Sequence, residues 1–223
     1  MKKGVKVLVL CTVLCTAVFA QNEIAFKTDE SGTVTDYEVR VSSVVIPAYA
    51  GGRRVTAIGN SVFKNVGLTS VVIPDGVTSI GSMAFAVNQL RSVVIPDSVT
   101  SIGEWAFYNN RLTSVTISAG LTYIGSGTFA NNQLANVTIP NGVTTIGSMA
   151  FASNQLTSVT IGNDVTAIGD GAFLSNQLTS VTIGGNVTLG RLASFNKSFD
   201  NFYNTNGKKS GTYVFSNNRW TMR

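Results

Sequence analysis

Along most of this chain, apolar side chains return at fixed places with small polar ones between them, as in the stretch LTSVVIPDGVTSIGSMAFAVNQ from Leu68 to Gln89. An isoleucine-glycine pair stands at 58/59, 80/81, 102/103, 124/125, 146/147 and 168/169, each step being 22 residues. Phenylalanine keeps the same step at Phe63, Phe85, Phe107, Phe129, Phe151 and Phe173, and leucine at Leu68, Leu90, Leu112, Leu134, Leu156 and Leu178. A fixed period of this length predicts a solenoid. One coil cannot bury its own apolar face, so neighbours must stack and share a continuous core.

Within a coil, period-two alternation predicts a strand over Leu68 to Ile73, with Val71 and Ile73 pointing inward. The proline at 74, 96 and 140 lacks an amide hydrogen and suits a strand's end. Val77 and Ile80 return to the core, and Ala84 with Phe85 fills its far side. The glycine after each isoleucine is read as a turn residue needed for positive φ. The asparagine at 88, 110, 132, 154 and 176 is read as an inward amide bonding backbone groups of the neighbouring coil.

The two ends depart from the repeat. Residues 21–43 hold two alternating segments around Asp29-Glu30-Ser31-Gly32 and are expected to form a β-rich amino-terminal cap. The solenoid is expected over 44–189, with five extra residues of its first coil in a longer turn at Tyr49-Ala50-Gly51-Gly52-Arg53. Over 190–223, Phe195, Phe199, Phe202 and Tyr203 recur at helical spacing, Asn206-Gly207 stops the helix, and GTYVFSNNRWTMR reads as a hairpin. Helix and hairpin would close the open edge of the last coil.

Charge and cysteine content locate the chain more than they describe its chemistry. Lys2, Lys3 and Lys6 precede an apolar run from Val7 to Val18, and Val18-Phe19-Ala20 offers small residues to a peptidase, so residues 1–20 read as a signal peptide. Both cysteines, Cys11 and Cys15, fall inside it. Acylation of one of them, as in a lipoprotein, is the rival reading, although Leu10 and Leu14 stand where a small residue is usual. Without three signal lysines, thirteen basic residues face eleven acids, and this balance gives no footprint for nucleic acid. An exported chain is expected, at the cell surface, in the periplasm or secreted.

The unit LxxVxIPxxVxxIGxxAFxxNQ, carried from Val55 to about Val187, resembles the bacterial leucine-rich repeats of the Treponema pallidum type, also called BspA-like repeats. The closing FYNTNGKKSGTYVFSNNRW is similar to a tail found on spirochaete proteins. The resemblance implies a β-rich solenoid, a right-handed superhelix of about six to seven coils. It also implies a secreted or surface-associated protein, with a role in adhesion to host matrix and cells or to other bacteria. This chain is one residue shorter between phenylalanine and leucine than the commoner repeat, and asparagine replaces a frequent cysteine.

No histidine occurs anywhere in the chain, which removes histidine-based triads and histidine proton shuttles. The repeat acids Asp75, Asp97, Glu104, Asp164 and Asp170 are few, and Asp75 and Asp97 hold the same turn position in adjacent coils. Neither an enzyme nor a cofactor or metal is expected. A polysaccharide-active solenoid is a remote alternative resting on two carboxylates.

Two surfaces compete as binding sites. The first is the outward strand row: Ser70, Val72, Ser92, Val94, Ser114, Thr116, Asn136, Thr138, Ser158, Thr160, Ser180 and Thr182. Serine and threonine also simply tolerate an exposed sheet. The second is where the repeat breaks its own rule, at Arg91, Trp105, Tyr108, Arg111 and Tyr123, residue types that often carry interface energy. The competing reading of these is unselected surface variation, with Trp105 half-buried where other coils have Met83 and Met149. The basic tail, with Arg191, Lys197, Lys208, Lys209, Arg219 and Arg223 against Asp200, reads as a solvated cap.

The expected partner is a host matrix or cell-surface protein, or another bacterial surface protein, with no nucleic acid, and with membrane contact only if the chain is lipidated. The alternative function is a periplasmic or envelope scaffold without an external ligand.

Overall fold

The computed structural model describes residues 26–37, 41–190 and 197–223. The expected signal peptide, with Cys11 and Cys15, lies outside the described residues, as do Arg191 and Phe195. No described helix is long and apolar enough to cross a membrane.

The repeat folds as a β-solenoid. Each coil carries a long strand and a short one. The long strands are Ser43–Val45, Ser70–Val72, Ser92–Val94, Ser114–Thr116, Asn136–Ile139, Ser158–Ile161 and Ser180–Ile183. The short strands are Ala57–Ile58, Ser79–Ile80, Ser101–Ile102, Tyr123–Ile124, Thr145–Ile146, Ala167–Ile168 and Thr188–Leu189. Wherever neighbouring coils pair they do so in parallel, each residue beside its counterpart, as in Val159 beside Val137 and Ile168 beside Ile146. The short-strand ladder is interrupted between Ser101–Ile102 and Tyr123–Ile124.

The core is a set of columns running through the stack. Leu68, Val71, Ile73, Val77, Ile80 and Phe85 are all buried, as are their counterparts in most coils. Successive phenylalanine rings from Phe63 to Phe173 stack with centroids 5.2 to 5.6 Å apart and planes within 17° of parallel. The stack is closed at its start by Tyr37, 4.9 Å from Phe63.

A second column is polar. The Asn132 side chain donates to the carbonyls of Phe107 and Phe129, each at 3.1 Å, and accepts the Leu112 amide at 3.0 Å. Asn88, Asn110, Asn154 and Asn176 repeat this pattern, always reaching to the preceding coil. These backbone groups bend away from both strand ladders, and burial without a partner would cost about 1–3 kcal/mol each. The asparagine supplies what the ladders do not.

The glycine after each isoleucine has a different cause from the one expected. None of Gly59, Gly81, Gly103, Gly125, Gly147 and Gly169 has positive φ. The preceding coil comes too close for a side chain: a Cβ at Gly103 would stand 2.4 Å from the Ser82 amide nitrogen, and one at Gly169 2.6 Å from that of Ser148. The close approach accompanies a hydrogen bond to the preceding isoleucine carbonyl, at 2.8 Å for Gly81, Gly103, Gly147 and Gly169. Gly125, at the interrupted junction, is the roomiest, with nothing nearer than 3.2 Å.

Positive φ falls elsewhere, at two stations per coil. One is occupied by Ser61, Met83, Trp105, Gly127, Met149 and Gly171, the other by Asn65, Val87, Asn109, Asn131, Ser153 and Ser175.

The ends are built from hairpins. Phe26–Thr28 and Thr33–Tyr37 pair antiparallel, and Thr33 and Val34 then lie parallel beside Ala57 and Ile58, heading the short-strand ladder. The five extra residues of the first coil are more than a turn, since Tyr49–Ala50 pairs with Arg53–Arg54 around Gly51 and Gly52, at φ 58° and 75°. At the other end, the helix Lys197–Thr205 buries Phe199 and Tyr203, and Gly207 at φ 71° ends it. Gly211–Ser216 adds antiparallel to the last long strand, and Arg219–Met222 pairs with it in turn. Tyr203 Oη ties the helix to the last coil by donating to the Gly184 carbonyl at 2.7 Å and accepting the Val187 amide at 3.2 Å.

Candidate binding surfaces

The long strands place the expected row on one face. Ser70, Val72, Ser92, Val94, Ser114, Thr116, Asn136, Thr138 and Thr160 are exposed, while Ser158, Ser180 and Thr182 are half-buried. The capping hairpin accounts for Thr182, whose hydroxyl meets that of Thr212 at 2.9 Å. Charged side chains are missing from these stations, and their backbones lie in parallel ladders.

The row extends further than expected. Val45 in the first long strand completes an outward file with Val72 and Val94, and the three are 55%, 55% and 64% exposed. Exposed Tyr49 follows, on the inserted hairpin. The signal was available in the shared text SVVIP at 43–47, 70–74 and 92–96. Beyond Val94 the file changes to Thr116, Thr138, Thr160 and Thr182, so one face has an apolar end and a hydroxyl-bearing end.

The irregular residues lie on several parts of the coil. Trp105 and Tyr108 are in contact, half-buried, with ring centroids 5.2 Å apart and planes at 89°. The other three occupy separate stations. Exposed Arg91 directly precedes the strand Ser92–Val94, and exposed Tyr123 belongs to the short strand Tyr123–Ile124. Arg111 lines a shallow groove of about 380 Å³ with Asn65, Val87, Gln89 and Asn109.

Trp105 rests on Gly127 of the next coil, where a Cβ would stand 2.1 Å from indole Cε3. Part of this residue's irregularity is therefore packing. A bulky residue stands at a left-handed station because the following coil has a glycine beneath it.

The electrostatics are mild. Ser31 and Thr33 hold the Asp29 carboxyl below its ordinary range through hydrogen bonds, the Ser31 hydroxyl contributing most. The Lys27 ammonium, 2.8 Å away, does the same for Asp36. In the cap, burial pushes the Tyr203 and Tyr213 phenols up. Among the described residues no group of three aspartate, glutamate, cysteine or histidine side chains is placed to hold a metal ion.

Comparison with known proteins agrees with this architecture. No protein of curated function matches the chain. The solved structure of a leucine rich cell surface protein from Faecalibacterium prausnitzii is 29% identical with a TM-score of 0.67, covering 93% of this chain and 61% of its own. This chain thus spans about three fifths of that protein. The leucine rich repeat protein of T. pallidum is 27% identical with a TM-score of 0.61, covering 75% of this chain and 82% of its own. The family model for the BspA type leucine rich repeat region matches in 6 copies, over residues 56–179 and 107–221. With its period, stacked core and these matches, the chain belongs to the BspA-type leucine-rich repeat family.

Proposed function

We propose that this protein is an exported, non-catalytic binding protein that holds a protein partner on its long-strand face, serving adhesion to host matrix or cells, or to other bacteria. The observation that carries this reading is the outward file Val45, Val72 and Val94, each more than half exposed. Three aligned β-branched side chains in water lose burial that a partner would restore, at roughly 25 cal/mol per Å². Seven strands about 4.8 Å apart make a face roughly 30 Å long, enough for a weak or standard contact. The related Faecalibacterium protein is described as a cell surface protein, which supports export.

The Trp105 station is less suited to a large partner. One contact pair that is already half-buried offers far less than the roughly 800 Å² per side of a standard interface.

The test is binding of the purified protein to host matrix proteins, epithelial cells and other bacteria at micromolar concentration. Wild type is expected to bind at least one of these, and the double variant Val72→Lys, Val94→Lys is expected to lose it while keeping its melting temperature. Failure of wild type to bind any of them would remove the proposal. Protease treatment of intact cells tests the location, since a surface protein is cleaved from outside and a periplasmic scaffold is protected.

A further inference from the structure

We infer that the turn face around Trp105 is a carbohydrate site, taking an extended, uncharged chain of pyranose sugars laid along the stack. The inference is independent of the protein-binding face, because the residues involved lie on other segments of the coil.

The first element is an aromatic surface. Gly127 lies under the six-membered ring of Trp105, where its Cβ would be 2.1 to 2.5 Å from Cε3, Cζ3 and Cδ2. The indole is thus laid on the next coil and not inserted between coils, and the half-buried residue keeps surface for a ligand. The Tyr108 ring lies perpendicular to the indole, centroid 5.2 Å away, and adds a second aromatic surface. The C–H bonds on the flat side of a pyranose ring suit the electron-rich face of an indole.

The second element is a set of fixed amides. The groove lined by Gln89, Asn109 and Arg111 begins one residue past Tyr108. Asn131 Nδ2 donates to Asn109 Oδ1 at 2.6 Å, which orients both groups and leaves the Asn109 amide hydrogens and the Asn131 carbonyl oxygen for another molecule. Gln89, Gln133, Gln155 and Gln177 repeat an exposed amide at this station of four coils, with Gly67 and Arg111 in two others. Amides both donate and accept, and so do sugar hydroxyls. Sites of this kind join an apolar platform to a few placed polar groups.

The third element is spacing. The ring centroids of successive phenylalanines stand 5.2 to 5.6 Å apart, close to the advance of one pyranose residue in an extended chain. Successive sugars would therefore meet successive coils in register. Exposed Glu104, directly before Trp105, and exposed Arg111, in the groove, carry opposite signs, which favours an uncharged chain over an anionic one.

The experiment is titration of the full chain with cellohexaose, chitohexaose and laminarihexaose, followed by calorimetry and by tryptophan fluorescence. Trp105 and Trp220 are the two tryptophans, and Trp220 is 3% exposed, so a ligand-dependent signal reports on Trp105. At least one hexasaccharide is expected to bind. Trp105→Met, which copies Met83 and Met149, is expected to weaken it by about tenfold, the size of one aromatic contact. Tyr108→Ala and Asn131→Ala are expected to weaken it less, and Thr138→Lys on the strand face to leave it unchanged. No binding of any of the three sugars at millimolar concentration would overturn the inference, as would undiminished binding by a folded Trp105→Met variant. Neither result bears on the protein partner, whose binding is read with the valine variants.

Discussion

The indole of Trp105 occupies the space in which a side chain at Gly127 would stand, so one coil's largest surface residue depends on the next coil having none. Gly127 is also at φ 61°, which adds about 1–2 kcal/mol against any other residue. Gly127→Ala is expected to lose about 2–4 kcal/mol, combining that term with overpacking against the indole. In the double variant Trp105→Ser, Gly127→Ala only the backbone term should remain. Chemical denaturation of the four proteins measures the coupling, and additive effects would contradict the packing described.

The repeating glycines separate two causes that a sequence cannot. Gly103→Ala forces a Cβ to 2.4 Å from the Ser82 backbone, whereas Gly125→Ala meets nothing nearer than 3.2 Å. The first is expected to destabilise by about 1–3 kcal/mol, and the second by less than about 1 kcal/mol. Equal melting temperatures for the two would argue against close approach as the reason for glycine.

The asparagine column should be among the most sensitive features of the molecule. Asn132→Ala leaves the buried Leu112 amide without its acceptor, while the Phe107 and Phe129 carbonyls keep the Asn110 and Asn154 amides. A loss of about 1–3 kcal/mol is expected. Asn176→Ala should cost less, because that asparagine is only part-buried. Thermal unfolding of the two variants ranks them.

Val87 is the β-branched exception among the left-handed stations, at φ 59°, where Asn65, Asn109 and Asn131 stand in other coils. Asparagine tolerates this conformation and valine does not. Val87→Asn is therefore expected to stabilise the protein by about 1 kcal/mol, visible as a melting temperature higher by a few degrees.

Alkaline pH should weaken the carboxy-terminal cap first. Tyr203 and Tyr213 have folded-state pKa values raised by burial, so above the ordinary phenolic value of about 10 the unfolded chain releases its protons first. The folded state then binds more protons than the unfolded one, and stability falls as pH rises. Tyrosinate absorbance and denaturant midpoints measured from pH 8 to 11 test this. Asp29 and Asp36 act at the other limit: their lowered values give the amino-terminal hairpin stability that is lost as pH falls through the folded carboxylate values.

Much of this architecture is legible in the sequence because periodicity is a direct consequence of stacking. A residue that must contact its own counterpart, such as Phe85 against Phe63 and Phe107, repeats at the coil length, so the core columns and the asparagine column are readable. Glycine is less transparent, since positive φ selects it at Gly127 and close approach selects it at Gly103, and the letter is the same. Trp105 and Tyr108 meet because they stand three positions apart on one turn, while Tyr123 lies on the short strand Tyr123–Ile124. Val45 is legible from the text SVVIP that its strand shares with the next two coils, although the inserted hairpin breaks the 22-residue count after it.

The asparagine column also bears on how such a chain changes length. Each amide clasps its own coil and the one before it with Nδ2 and Oδ1, meeting three backbone groups at sequence offsets of 25, 3 and 20 residues. Excising one whole unit from the middle, or duplicating it, would recreate an equivalent clasp at the new seam. The protein can therefore lengthen or shorten by whole coils during replication without inventing a new junction, and with each coil the reach of its exposed faces grows by one more step.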